Sequence, residues 1–277
     1  MEHLEGIFTG ARDTRIFYQA YLPEDQVRAS IIIVHGLGEH SGRYENVVNY
    51  LAPLGYALYS FDLIGHGQSD GARAFVEAYE DFSETLTMYK NKVRGWQPDK
   101  PLFLMGHSMG GLIASEYLID HSDEFTGAVI SAPLIMVPDN INKATILAGK
   151  ILSRIAPNMG ITAVDPSGVS RDPDVVHAYG TDPLVFHGKT TARLSAELLK
   201  AIMRVNDEFK KITVPFVVLQ GSDDKLVNPR GSKMLYEHAG SDDKSMKIYD
   251  GLYHEVFNEP ERDQVLADVA AWLDARL

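Results

Sequence analysis

The chain has 277 residues, 45% of them apolar and 23% charged, the balance of a folded protein with room for one large α/β domain or two small ones. It contains no cysteine, which excludes disulfides, thiolate metal sites and a cysteine nucleophile. A net charge of −12 with no basic stripe argues against a nucleic-acid partner, and no run approaches the ~20 apolar residues of a membrane-spanning helix. Because the N-terminus is acidic where a signal peptide would be basic and then apolar, the expectation is a soluble, cytoplasmic protein.

In chain order, segments near residues 6–8 and 16–21 are expected to pair as an antiparallel hairpin at a sheet edge. Short runs at 31–34 (IIIV), 57–61 (ALYSF), 102–105 (LFLM), 128–130 (AVI), 216–219 (FVVL) and 245–249 read as strands. Their apolarity is nearly continuous rather than alternating, as in strands buried on both faces of a parallel sheet. Helical spacing occupies 44–54, 76–93, 111–120, 191–205 and 261–277 between and after them. Alternation of this kind predicts a doubly wound, mostly parallel α/β sheet in one domain spanning residues 1–277.

One connection is too long. After the strand at 128–130 the chain takes some eighty residues to reach the next strand, where a single helix would suffice. The surplus, residues 133–189, contains an amphipathic helix at 142–156 and several turns, and is expected to form an inserted cap subdomain. On that helix Ala144, Leu147, Ala148, Ile151, Leu152 and Ile155 share one face, with Lys143, Lys150 and Arg154 toward the other. The plain expectation is that the apolar face packs on the body. The sharper one is that part of it, with Leu134, Ile135, Met136, Ile146 and Met159, lines or rims an apolar tunnel and touches lipid aggregates.

Chemistry concentrates at the strand ends. "GHSMG" at 106–110 satisfies G-x-S-x-G between a strand and a helix, a sharp turn that lifts the Ser108 hydroxyl to the carboxyl end of the sheet. The next amide, Met109 N–H, opens a helix where an oxyanion would form. A serine needs a base. Of the ten histidines, His254 alone falls after the last strand and before the last helix, where the base of such a fold belongs. His35, His66 and His107, each beside a glycine, are expected to shape loops, and the other six to lie at the surface or in the cap. Either Asp223 or Asp224, after the strand at 216–219, could orient that base; Asp224 is favoured by its place in G-S-x-D. The loop "HGLG" after the strand at 31–34 offers Leu37 N–H as a second oxyanion donor. Asp62, in "DLIGHGQSDG", is expected to hydrogen-bond backbone. No phosphate-binding glycine loop or metal-ligand cluster is found, so neither cofactor nor metal is expected.

The stretches "HGLGEHSGRY", "DLIGHGQSDG", "GHSMGG", "TDPL", "VPFVVLQGSDDKLV" and "YDGLYHE" resemble the monoacylglycerol lipases of the α/β-hydrolase superfamily, in the branch shared with serine aminopeptidase-like hydrolases and lysophospholipases. The resemblance runs from about residue 31 to the C-terminal helix. It implies Ser108 as nucleophile, Asp224 as acid, His254 as base, and Leu37 and Met109 as oxyanion donors. It also implies that residues 133–189 roof an acyl-binding tunnel, for which Leu134, Ile135, Ile146, Leu147, Ile151, Met159 and Val227 are the candidate lining. Val227 stands where some relatives carry a cysteine. The activity implied is cleavage of a monoacylglycerol to fatty acid and glycerol through an acyl-enzyme, with a lysophospholipase or broad carboxylesterase as the alternative. A peptidase is disfavoured because no acidic anchor for a substrate amine is evident. A binding protein that merely kept the fold is disfavoured by the intact Ser, Asp and His.

Overall fold

The computed structural model describes residues 1–137 and 143–277, with the side chains of Lys143 and Ala144 outside the description. The strands are β1 (Glu2–Thr9), β2 (Arg15–Leu22), β3 (Ala29–Val34), β4 (Tyr56–Phe61), β5 (Leu102–His107), β6 (Gly127–Ser131), β7 (Gly160–Thr162), β8 (Thr190–Thr191), β9 (Phe216–Gly221) and β10 (Lys244–Tyr249). The helices are α1 (Glu45–Leu51), α2 (Glu80–Trp96), α3 (Met109–His121), α4 (Lys143–Ile155), α5 (Pro173–Thr181), α6 (Ala192–Glu208), α7 (Arg230–His238) and α8 (Arg262–Asp274). Asn142, where the sequence starts the α4 helix, lies outside the described residues.

Eight strands form one sheet in the order β1-β2-β4-β3-β5-β6-β9-β10. The β1–β2 hairpin and its junction with β4 are antiparallel, and every other pairing in the sheet is parallel. The continuous apolar runs follow from cover on both faces. Ile32, Val34, Leu104, Ile130 and Val218 pack against α2, α3 and α6. Their alternate neighbours Ile31, Ile33, Met105, Val129 and Leu219 pack against α1 and α8. A period of two therefore distributes apolar side chains into two cores rather than between core and water.

All six parallel strands direct their carboxyl ends to the same edge, and the loops leaving β3, β5, β9 and β10 meet there. Between β6 and α6 the chain carries α4, β7, α5 and β8, with β7 and β8 paired in a separate two-stranded sheet. Helix α4 packs on α6. Among the described residues no helix is long and apolar enough to cross a membrane.

Candidate active site

Ser108 sits between β5 and α3 with φ 55° and ψ −117°, a left-handed φ that is strained for any residue with a side chain. Its neighbours make this turn possible. A methyl group on Gly110 would lie 2.0 Å from the Val34 carbonyl oxygen, and one on Gly106 2.4 Å from that of Gly110. Glycine alone lets α3 pass this close to β3 and β5. The turn is held by Ser108 N–H donating to Ser131 O (3.0 Å), while Ser108 O accepts from Leu112 and Leu134 N–H, both at 3.1 Å. Met109 is the first residue of α3, so its N–H has no partner within the helix.

His254 Nδ1 lies 2.8 Å from Asp224 Oδ2, and both side chains are buried. An ionised carboxylate only accepts, so Nδ1 carries a proton, and in the neutral imidazole Nε2 is then bare. Asp224 Oδ1 accepts from the amides of Leu226 (2.8 Å) and Val227 (3.0 Å), and Oδ2 also accepts from Gln220 Nε2 (2.9 Å). Burial pushes the Asp224 pKa up, but His254 and the two amides outweigh it and hold the carboxyl below its usual range. Asp223 is exposed and accepts from the Ser222 hydroxyl. Of the two aspartates the sequence left open, Asp224 is thus the one beside His254.

The loop after β3 comes within contact of the serine: a methyl on Gly36 would lie 3.1 Å from Ser108 Cβ. Its shape is held from beneath. Gly36 N–H donates to Glu39 Oε1 (2.5 Å), and Ser41 N–H to Asp62 Oδ1 (2.8 Å). Leu63 N–H donates to His35 Nε2 (2.9 Å), so His35 Nδ1 bears the proton and donates to Gly36 O. Asp62 also takes Gln68 N–H, the backbone role expected for it. Burial lowers the His35 pKa, and burial aided by the neighbouring His35 lowers that of His66 to about 3. His107 is lowered to about 3 by burial and by His254, whose ring centroid is 4.6 Å away. These three histidines are neutral supports. His40 departs from its expected surface role: it is buried and pairs with Asp182 at 2.9 Å, because the loop after α5 folds against it.

Ser108, Leu37, His107 and His254 open on one cavity of about 560 Å³. Of the candidate lining residues, Leu134, Ile146 and Val227 border it. Ile135 does not: it is fully buried in the core under α6. Leu147, Ile151 and Met159 also lie outside the lining, at 60%, 52% and 53% exposure. The reason is packing. Helix α4 turns its narrow face inward, Ile146, Gly149 and Lys150 toward the cavity, while Ser153 is buried and accepts from Arg193 Nε (3.0 Å). Most of its broad apolar face, Leu147, Ile151 and Ile155, is left outward, while Leu152 borders the cavity. Lys150, expected on the far side, consequently borders the cavity.

The apolar wall that sequence reasoning missed comes from α6, read there only as a crossover helix. Ala192, Ser195, Ala196, Leu199 and Ile202 line the cavity, and Leu198 joins them. The available signal was three small residues at i, i+3 and i+4 on a helix already apolar elsewhere. Also missed were Gln220 behind the Asp224 carboxylate and the buried Arg43, Glu39 and Glu255. Among the described residues no group of His, Asp and Glu side chains is placed to hold a metal ion.

The family model described as serine aminopeptidase, S33, matches residues 25–261. The monoacylglycerol lipase of Mycolicibacterium smegmatis is 34% identical over 99% of this chain and 98% of its own. The human monoglyceride lipase is 36% identical over 94% of this chain and 87% of its own. The crystal structure of the Paleococcus ferrophilus monoacylglycerol lipase superposes with a TM-score of 0.83 at 30% identity, covering all of both chains. The chain therefore belongs to the serine aminopeptidase S33 family of α/β-hydrolases, in the group that contains the monoacylglycerol lipases.

Proposed function

We propose that this protein is a serine hydrolase that cleaves monoacylglycerols to fatty acid and glycerol. The observation that carries the reading is that Ser108 and His254 open on a 560 Å³ cavity walled mainly by apolar side chains, from α6 and from the loops around it. His254 Nε2, held bare by the Asp224 contact, takes the Ser108 proton as Oγ attacks the ester carbonyl. Leu37 and Met109 N–H receive the oxyanion. The tetrahedral intermediate collapses, the C–O bond to glycerol breaks, and His254 returns the proton to the leaving oxygen. Water then attacks the acyl-enzyme by the same route and releases the acid.

Residues 133–189 act as a cap over this site in the proposed reading. Leu147, Ile151 and Ile155 on α4, at 60%, 52% and 75% exposure, with Met159 and Ile161 beyond it, form an apolar rim beside the cavity. Such a rim suits contact with a lipid aggregate, with Lys150 and Arg154 near anionic head groups. One acyl chain fits a single cavity of this kind.

The test is turnover across glycerol monoesters of increasing chain length, with a triacylglycerol and a lysophospholipid of matched chain alongside. The expected profile rises from acetyl toward long-chain monoesters and is near zero for the triester. A profile that peaks at acetyl overturns the acyl-cavity reading. A lysophospholipid exceeding the monoacylglycerol moves the assignment to lysophospholipase.

A further inference from the structure

We infer that Arg43 is a positioning residue whose guanidinium ties the loop presenting Leu37 N–H to the loop carrying His254. The inference rests on the roles proposed above for those two residues. Arg43 lies in the single helical turn Ser41–Tyr44 that ends the loop after β3. Its Nε is 3.3 Å from Glu39 Oε2, and its Nη2 donates to Glu255 Oε2 at 2.6 Å. The three side chains are only 8%, 6% and 6% exposed.

Each carboxylate holds a different loop. Glu39 Oε1 accepts from Gly36 N–H at 2.5 Å and from the Tyr44 hydroxyl at 2.9 Å, so it fixes the His35–Gly36 peptide, one unit ahead of the peptide that carries Leu37 N–H. Glu255 follows His254 directly; its Oε2 also accepts from Asn258 Nδ2 (2.8 Å), and its N–H donates to Val169 O (2.8 Å). A continuous path runs from Gly36 through Glu39, Arg43 and Glu255 to the backbone of His254. The Arg43 carbon lies 4.6 Å over the Tyr179 ring, which keeps the guanidinium plane in place. Tyr44, His107, Phe257 and Asn258 complete the surroundings of the three charged groups, with the His40–Asp182 pair on the adjoining loop.

Arginine suits this place because its planar fork reaches two carboxylates from different nitrogens, whereas a lysine offers one point charge. Burial alone would lower the Arg43 pKa, but Glu255 and Glu39 outweigh it, so the cation persists. Without it two buried carboxylates lose their counter-ion and repel each other, which drives apart the loops they hold.

The test compares Arg43→Met, Arg43→Lys and Glu255→Gln, each checked for native near-UV circular dichroism, by kcat, KM and the acid limb of the pH–kcat profile. Arg43→Met is expected to lose about 100-fold in kcat, the scale of a small misplacement of catalytic groups, with KM nearly unchanged. Its acid limb moves to higher pH, because unbalanced carboxylates near His254 favour the imidazolium. Arg43→Lys returns the limb toward wild type but recovers little of the rate. Glu255→Gln, which keeps the shape of the site if Arg43→Met does not fold, loses about 10-fold in kcat as a charge-assisted contact is cut, and moves the acid limb to lower pH. Wild-type kcat in a folded Arg43→Met or Glu255→Gln protein overturns the inference, as does a rate loss with unmoved limbs. Activity surviving in Ser108→Ala would instead sink the functional reading beneath it.

Discussion

Replacing Asp224 with asparagine changes one atom, and the surroundings dictate where it goes. Oδ1 accepts from two backbone amides, Leu226 and Val227, which cannot turn away. An asparagine NH2 placed there would face two N–H donors, so the amide oxygen must take that position. The NH2 group then points at His254 Nδ1, which has to give up its proton and become an acceptor. The proton moves to Nε2, where the base must be bare to receive the serine proton. The fold keeps its shape while the catalytic tautomer is lost. The same substitution in a serine protease triad costs about 10⁴-fold in kcat, or ~5.5 kcal/mol on the barrier, and that is the magnitude expected here. Loss of the charge-assisted contacts to Oδ2 should cost ~1.5–3 kcal/mol of stability. The assay is kcat for a long-chain monoacylglycerol together with a urea unfolding curve. The control is Asp223→Asn, exposed beside the Ser222 hydroxyl, for which less than about a 5-fold change is expected because such a contact contributes ~1 kcal/mol or less. An Asp224→Asn enzyme within about 10-fold of wild type, where a wrong tautomer demands far more, would refute the reasoning.

Two other predictions follow from the cavity and the buried histidines. Ala196→Trp on α6 should shorten the acyl slot, leave acetyl ester turnover nearly intact and cut long-chain turnover about 4-fold per displaced methylene; equal losses at every chain length would count against the lining. His66 and His107, held neutral to about pH 3, bind no proton in the folded state over a range where the unfolded chain does. Their contribution is complete above the unfolded value of about 6.5, and each lowers stability by up to ~1.4 kcal/mol per pH unit below it. Urea unfolding at pH 7.0, 6.0 and 5.0 should show this slope, and flat stability across that range would contradict the buried neutral assignment.

Much of this molecule is legible in its sequence because both-face burial leaves a plain mark. Runs such as IIIV and FVVL have no polar positions to confuse with helix, and β3 and β9 are found there. The loops at the carboxyl ends of β3, β5, β9 and β10 could likewise be inferred to converge, since parallel strands bring those ends to one edge. What was not legible depends on neighbours. The α4 pattern identifies an apolar face but not which way it looks, and Gly149 and Ser153 turn the smaller face inward. Ile135 and Leu134 are adjacent and equally apolar, yet one is sealed in the core and the other borders the cavity. The Arg43 network joins residues more than two hundred positions apart, and charge in a sequence does not reveal its partner.

Everything in the proposed mechanism depends on the Ser108 hydroxyl forming the acyl-enzyme. The most direct measurement is to treat wild type and Ser108→Ala with a fluorophosphonate, map the adduct by peptide mass spectrometry, and measure monoacylglycerol turnover in both. The expected result is a single adduct on Ser108 in wild type, none in Ser108→Ala, and a loss of kcat on the order of a million-fold in the variant, as for other triad nucleophiles. Labelling at another serine, or a folded Ser108→Ala protein that still turns over the ester near the wild-type rate, would contradict it.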